Sequence, residues 1–173
     1  NYLIDLMITR SDNSASNCMI DIAARKRINE TMHRYNWHGS EVTRKFLRRT
    51  FEDEEYKEVR GTVTSALHAA DFIYLMYAEK LVNPWVSRQL KTFMGRQLDK
   101  SKIASGLPAD AMFYHKSGWW SFWTNDVGLV EAGESKYIIS CFMPVREKDA
   151  LPKFKIIAEK VHNLIESRRH NSD

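Results

Sequence analysis

The stretch from Ala111 to Met143, AMFYHKSGWWSFWTNDVGLVEAGESKYIISCFM, decides the fold. Three short runs rich in β-branched and aromatic residues lie within it: Met112 to Lys116, Val127 to Glu131 and Tyr137 to Met143. Turn-prone Gly118 and Ala132-Gly133-Glu134 separate them, so the spacing predicts three strands joined as antiparallel hairpins. The third run, Tyr137-Ile138-Ile139-Ser140-Cys141-Phe142, is mostly apolar on both faces, which suits a strand buried in a covered sheet. Pro152 then opens a last helix with Phe154, Ile157, Val161, Leu164 and Ile165 on one face and basic residues in its final turn, where they suit the helix dipole. That helix is expected to lie on the sheet.

Upstream of Gly106-Leu107-Pro108 the pattern is helical. Leu67, Ala70, Tyr74, Tyr77 and Leu81 recur at three- and four-residue steps and predict one helix with an apolar stripe. Asn83-Pro84 supplies an N-cap and a proline at the first helical position for another, running through Val86, Leu90, Phe93 and Met94. Ser11-Asp12-Asn13 caps a further helix through Cys18, Met19, Ile22 and Ala23. The opening residues, Asn1 to Ile8, read as an amphipathic helix entered partway. The fold class expected is therefore α+β. Residues 1–105 form a helical domain and residues 106–173 carry the strands and the closing helix.

With 43% hydrophobic and 28% charged residues over 173 positions, the chain can bury a core, and disorder is excluded. No apolar run approaches the ~18 residues of a membrane helix, and the first residues lack the features of a signal peptide. A net charge of +4 invites a nucleic-acid reading. The basic clusters Arg25-Lys26-Arg27, Arg44-Lys45, Arg48-Arg49 and Arg168-Arg169 are scattered, however, and the acidic run Glu52-Asp53-Glu54-Glu55 sits beside one of them. Solvated helix faces explain them, and no nucleic-acid partner is expected. Cys18 and Cys141 make neither a disulfide framework nor a metal site by spacing, and each sits in an apolar run where a small buried hydrophobe is expected. No metal and no cofactor is anticipated.

Three patterns carry chemistry, and their order matters more than any one alone. Ser11-Asp12-Asn13 comes first, followed by Asn17; His115-Lys116-Ser117-Gly118 follows Leu107-Pro108; Asn125-Asp126-Val127-Gly128 comes about ten residues later. Each has a plain structural reading. The first is an ordinary N-cap cluster, Lys116 is a solvated edge-strand lysine, and His115 and Asp126 are satisfied structural residues. Trp119, Trp120 and Trp123 serve either as core or lid or as a surface that stacks on substrate.

In this order the set resembles the class A β-lactamase and penicillin-recognising serine hydrolase family, whose motifs are S-x-x-K, S-D-N and K-T-G. The resemblance runs from Leu6 to the final helix, and Lys116-Ser117-Gly118 differs from K-T-G only by serine for threonine. It implies a β-lactamase/transpeptidase-like fold, a β-lactam or D-alanyl peptide as substrate, and export in bacteria. By resemblance, Ser11 passes a proton to the leaving nitrogen and Asn13 holds the substrate's side-chain amide. Lys116 interacts with the substrate carboxylate and with Ser11, Ser117 donates to that carboxylate, and Gly118 keeps the strand edge clear for the substrate backbone.

Two departures shape the expectation. No serine in this chain has lysine three residues on, so S-x-x-K is absent. The family carries it upstream of S-D-N, which implies that the nucleophile lies outside this chain and that the chain is a fragment, prone to self-association or dependent on a complementing segment. The position matching the family's deacylating glutamate falls near Arg49, a cation unfit as a base, with Glu52 the weaker substitute. A β-lactamase is thus the first reading. A slowly deacylating penicillin-binding D,D-peptidase and a non-catalytic binding module with the same pocket are the alternatives.

Overall fold

The computed structural model describes residues 1–46 and 61–170. Among them run α1 (Tyr2–Thr9), α2 (Asn13–Ala23), α3 (Arg25–Arg34), α4 (Ala66–Tyr77) and α5 (Pro84–Gly95). A 3-10 helix (Ile103–Gly106), β1 (Met112–Trp120), β2 (Trp123–Ala132), β3 (Ser135–Met143) and α6 (Glu147–His170) follow. The helix starts obey local chemistry. Asp12 caps α2 by accepting from Ala15 N at 2.7 Å, and Asn83 caps α5 by accepting from Val86 N at 2.9 Å, with Pro84 at the first helical position.

The strands form one antiparallel meander in the order β1-β2-β3. They are longer than the sequence predicts. Gly118 does not end β1 but pairs with Asn125 inside it, and the turn falls at Ser121-Phe122, between paired Trp120 and Trp123. Ser121 takes φ 54°, the left-handed conformation a two-residue hairpin turn demands. The facing tryptophans are register partners across the hairpin, a placement that a glycine-based turn signal leaves unseen.

Regular alternation along β1 gives the sheet two distinct faces. On one, Val127 and Leu129 pack with Ile8 of α1, Ile73 and Met76 of α4, Phe93 and Met94 of α5, and Trp37. On the other, Phe113, Val130, Ala132 and Ile139 pack with Ile103 and with Ala150, Phe154 and Ala158 of α6, so the last helix does lie on the sheet. Gly128 is required here, since a Cβ would come within 2.5 Å of His115 Cβ and 2.6 Å of the Tyr114 carbonyl oxygen.

Three further sequence expectations change. The stripe read for α4 only partly faces the core: Leu67, Tyr74 and Tyr77 are 74%, 50% and 43% exposed, Leu81 is buried but lies beyond the end of the helix, and Ile73 and Met76 are the buried residues of α4. The α4 sequence is apolar nearly all round, so its period offers two stripes, and tertiary packing selects the second. Pro152 lies inside α6 rather than at its start, because the first turn closes earlier through Asp149 N and Ala150 N donating to the Arg146 carbonyl. The N–H that proline lacks would have served the Lys148 carbonyl, at the exposed first turn of the helix. Cys18 is exposed and Cys141 half-buried, so Cys18 does not act as a buried hydrophobe.

Candidate active site between the α1–α2 turn and strand β1

Ser11 stands in the three-residue break between α1 and α2 at φ 55°, a left-handed conformation uncommon outside glycine. The Leu6 carbonyl accepts from both Arg10 N and Asp12 N and fixes this turn, so the exposed Ser11 hydroxyl is aimed by backbone rather than by chance. Lys116 reaches it from β1. The Lys116 Nζ donates to Ser11 Oγ, and also to the Ser117 carbonyl at 2.7 Å. Residues 105 positions apart in sequence are thereby joined across the gap between helices and sheet.

Burial pulls the Lys116 ammonium down to about 8, against the opposing attraction of Asp126 and Asp99 and with added repulsion from Lys102. A lysine so placed holds and releases a proton near neutral pH, and its hydrogen bond leads that proton to a serine hydroxyl.

Asn13, half-buried, opens α2 two residues beyond Ser11. Gly118 lies one strand period beyond Lys116 on the same face, and a Cβ there would meet nothing within 4 Å. Nothing in the protein fills that space, so the lane over Gly118 is open. Asn17, buried, clamps the backbone of Phe46 in both directions, donating to its carbonyl at 2.9 Å and accepting from its N–H at 2.7 Å. Glu52 and Arg49 lie outside the described residues.

Ser117 is turned the other way. Strand alternation puts it on the α6 face, 6% exposed, where its hydroxyl donates to Asp99 Oδ2 at 2.7 Å. Asp99 also accepts from Lys102 Nζ at 2.6 Å and from Ser101 N at 3.1 Å. Lys102, with no exposed surface, also donates to Glu147 of α6 at 2.9 Å. Beside this chain His115 Nδ1 lies 2.9 Å from Asp126 Oδ1, and Asp126 Oδ2 accepts from Ile103 N at 3.2 Å. A carboxylate only accepts, so His115 carries its proton on Nδ1 and offers Nε2 to Lys100 Nζ at 3.4 Å. The structural reading of His115 and Asp126 is the observed one. The cluster Asp99, Lys102 and Glu147 was not visible in sequence, because Asp99-Lys100-Ser101-Lys102 has the composition of a solvated turn. The one available signal was the fully apolar Ile103 directly after it.

Among the described residues no group of three or more His, Cys, Asp or Glu is arranged to hold a metal ion, and no helix is long and apolar enough to cross a membrane.

The family model for the beta-lactamase enzyme family matches residues 1–165. The chain belongs to that family. No curated protein sequence matches it. Among solved structures it is similar to PBP-A, with a TM-score of 0.82 and 19% identity over 96% of this chain and 61% of that one. A PBP-A variant solved as an acyl-enzyme complex with penicillin G is similar at a TM-score of 0.78, with 19% identity over 96% and 61% of the two chains. So is a class A beta-lactamase representative from Bacteroides cellulosilyticus, at a TM-score of 0.77 and 21% identity over 99% and 64%. At these identities the likeness is one of fold, and it establishes the β-lactamase/transpeptidase-like α+β architecture. The chain spans less than two thirds of the length of these proteins.

Proposed function

We propose that this chain supplies the Ser-Asp-Asn and Lys-Ser-Gly half of a serine β-lactamase-type active site, whose nucleophile lies outside the chain. The donation of Lys116 Nζ to Ser11 Oγ carries the reading. In the proposed step a serine of an S-x-x-K segment, its hydroxyl proton passing to a base of that segment, attacks the lactam carbonyl. The acyl–oxygen bond forms as the C–N bond breaks. The leaving nitrogen takes a proton from Ser11, which Lys116 replaces. Asn13 holds the substrate's side-chain amide, and Lys116 attracts its carboxylate. Gly118 keeps the β1 edge clear for the substrate backbone. Ser117 contributes its carbonyl to Lys116; its hydroxyl reaches a substrate carboxylate only by leaving Asp99.

The test uses the full-length protein that carries this chain. Lys116→Ala is expected to slow acylation by a labelled penicillin by about one to two powers of ten, since ~1.4 kcal/mol is tenfold and a charge-assisted hydrogen bond is worth roughly 1.5–3 kcal/mol. Acylation at the wild-type rate in a folded variant refutes the assignment. The isolated 173-residue chain is expected not to hydrolyse a chromogenic cephalosporin, because it holds no S-x-x-K serine. Sustained hydrolysis would require a nucleophile among its own serines.

A D,D-peptidase reading is favoured by one observation, Arg49 where the deacylating glutamate is expected. A long-lived penicilloyl adduct identifies that outcome, and rapid turnover identifies a β-lactamase. If the coding sequence upstream holds no S-x-x-K within about 60–70 residues, one helix and a connecting loop, a non-catalytic binding module replaces both. The outer α4 stripe and the outer edge of β3, which has no strand partner among the described residues, support the need for a complementing segment or self-association. Export from the bacterial cytoplasm follows from the family reading.

A further inference from the structure

The Asp99–Lys102 turn lies on the opposite face of β1 from Ser11, yet it ends on the residue that receives the Lys116 ammonium. Ser117 is gripped twice: its hydroxyl donates to Asp99 Oδ2 at 2.7 Å, and its carbonyl accepts from Lys116 Nζ at 2.7 Å. The peptide that orients Lys116 is therefore anchored through the sheet by a carboxylate. That carboxylate is itself held by Lys102 at 2.6 Å, and Lys102 is tied to the first turn of α6 through Glu147 at 2.9 Å. A fully buried lysine with two carboxylates is far more machinery than one turn requires.

We propose that Asp99, braced by Lys102 and Glu147, is a positioning residue for Lys116 and acts through Ser117. This rests on the reading above in which Lys116 serves Ser11. The groups that act on Lys116 are the neutral Ser11 hydroxyl from the α1–α2 turn, Asp99 and Lys102 from the turn after α5, and Asp126 of β2. Asp99 and Asp126 favour the charged ammonium, whereas Lys102 and burial oppose it. The turn therefore carries opposing levers in adjacent residues. Removing Asp99's charge drives the Lys116 proton off at lower pH, and removing Lys102's charge retains it to higher pH.

The experiment is an NMR titration of 13Cε-lysine-labelled full-length protein, with the Lys116 signal assigned by its loss in Lys116→Met. The wild-type midpoint is expected at about 8. Asp99→Asn is expected to move it down by about one pH unit and Lys102→Met to move it up by a similar amount, the size expected of a near charge. Should Asp99→Asn fail to fold, Lys102→Met keeps the test. Its two released carboxylates are 32% and 36% exposed and can be hydrated. The pH profile of acylation by a labelled penicillin is expected to move with the midpoint. A Lys116 midpoint unchanged in Lys102→Met, or shifts of the same sign in both variants, overturns the proposal. A midpoint that moves as expected in a protein no penicillin acylates supports the positioning and refutes the catalytic reading.

Discussion

The two faces of strand β1 handle charge in opposite ways. On the helical face, Lys116 ends at an exposed serine hydroxyl, next to an open lane over Gly118. On the α6 face, one residue further along, Ser117 enters a closed set in which Lys102 is wholly buried and bonded to two carboxylates. The first arrangement leaves a proton free to move; the second commits every charge to a partner. A period of two is enough to place chemistry and scaffold back to back on one strand.

The sharpest way to break this contrast is to delete one lysine from each face. Lys102→Ala is expected to destabilise the fold by about 3 kcal/mol, the low end for breaking a buried pair, because Asp99 and Glu147 lose their shared cation but are a third exposed and can be hydrated. Lys116→Ala is expected to cost little stability or none, since it removes an ammonium that burial disfavours. Urea unfolding of the two variants of the full-length protein checks both. Equal losses would mean that Lys116 is scaffold as well.

The two glycines of the hairpin sharpen the same contrast at smaller size. Gly128→Ala drives a methyl into His115, Phe113 and the Tyr114 carbonyl and is expected to cost about 1–3 kcal/mol or more. Gly118→Ala meets no protein atom, so it is expected to fold normally and to slow acylation by obstructing the substrate lane. A stable Gly128→Ala variant would show that the α6 face yields.

Much of this was legible in sequence. The β-rich runs, the caps at Asp12 and Asn83 and the ordered motifs all depend on local chemistry, and they stand where the residues put them. The pairing of Ser11 with Lys116 came from the family resemblance, because contact between residues so distant has no local signature. Burial was the harder quantity. Leu67, Tyr74 and Tyr77 form as good a stripe as Ile73 and Met76, and only the surrounding elements choose between them. Lys102 was unreadable for the same reason: a lysine becomes buried only when carboxylates from distant positions, here Glu147 of α6, close over it. The turn of Ser117 towards Asp99 likewise needs Asp99's location, which its sequence neighbours do not give.

The pH dependence of stability separates the faces by the window in which each acts, not by sign. The folded-state value of Lys116 is lowered from 10.5 to about 8, so between those limits the unfolded chain binds more protons than the folded one. Stability from this group therefore rises with pH across that window, by about 1 kcal/mol once solvent screening is allowed for. Asp99 gives the same sign at the acid end. Burial would raise its carboxyl, but hydrogen bonds from Lys102, Ser101 and Ser117 outweigh this and hold it well below the usual range. Its contribution is complete above the unfolded carboxylate value and is lost as the solution is acidified. Unfolding free energies measured from pH 7.5 to 10.5 in wild type and Lys116→Met check the basic limb, which the variant is expected to flatten.

The smallest expected effect concerns the end of the strand. Alternation places Trp120 on the face of Lys116 and Gly118, paired with Trp123 across the hairpin, and places Trp119 with Ser117 on the other. All three rings are substantially exposed, at 63%, 42% and 64%, so none is core. A ring stacked on Trp120 would gain about 0.5–1.5 kcal/mol, or roughly two- to tenfold in a second-order rate. Trp120→Ala in the full-length protein is accordingly expected to slow acylation two- to tenfold for a penicillin with an aromatic acyl group and to leave 6-aminopenicillanic acid, which has none, unaffected. Trp119→Ala is expected to change neither rate. Equal losses from both tryptophan variants would mean that the hairpin tip, unlike the strand behind it, does not keep its two faces apart.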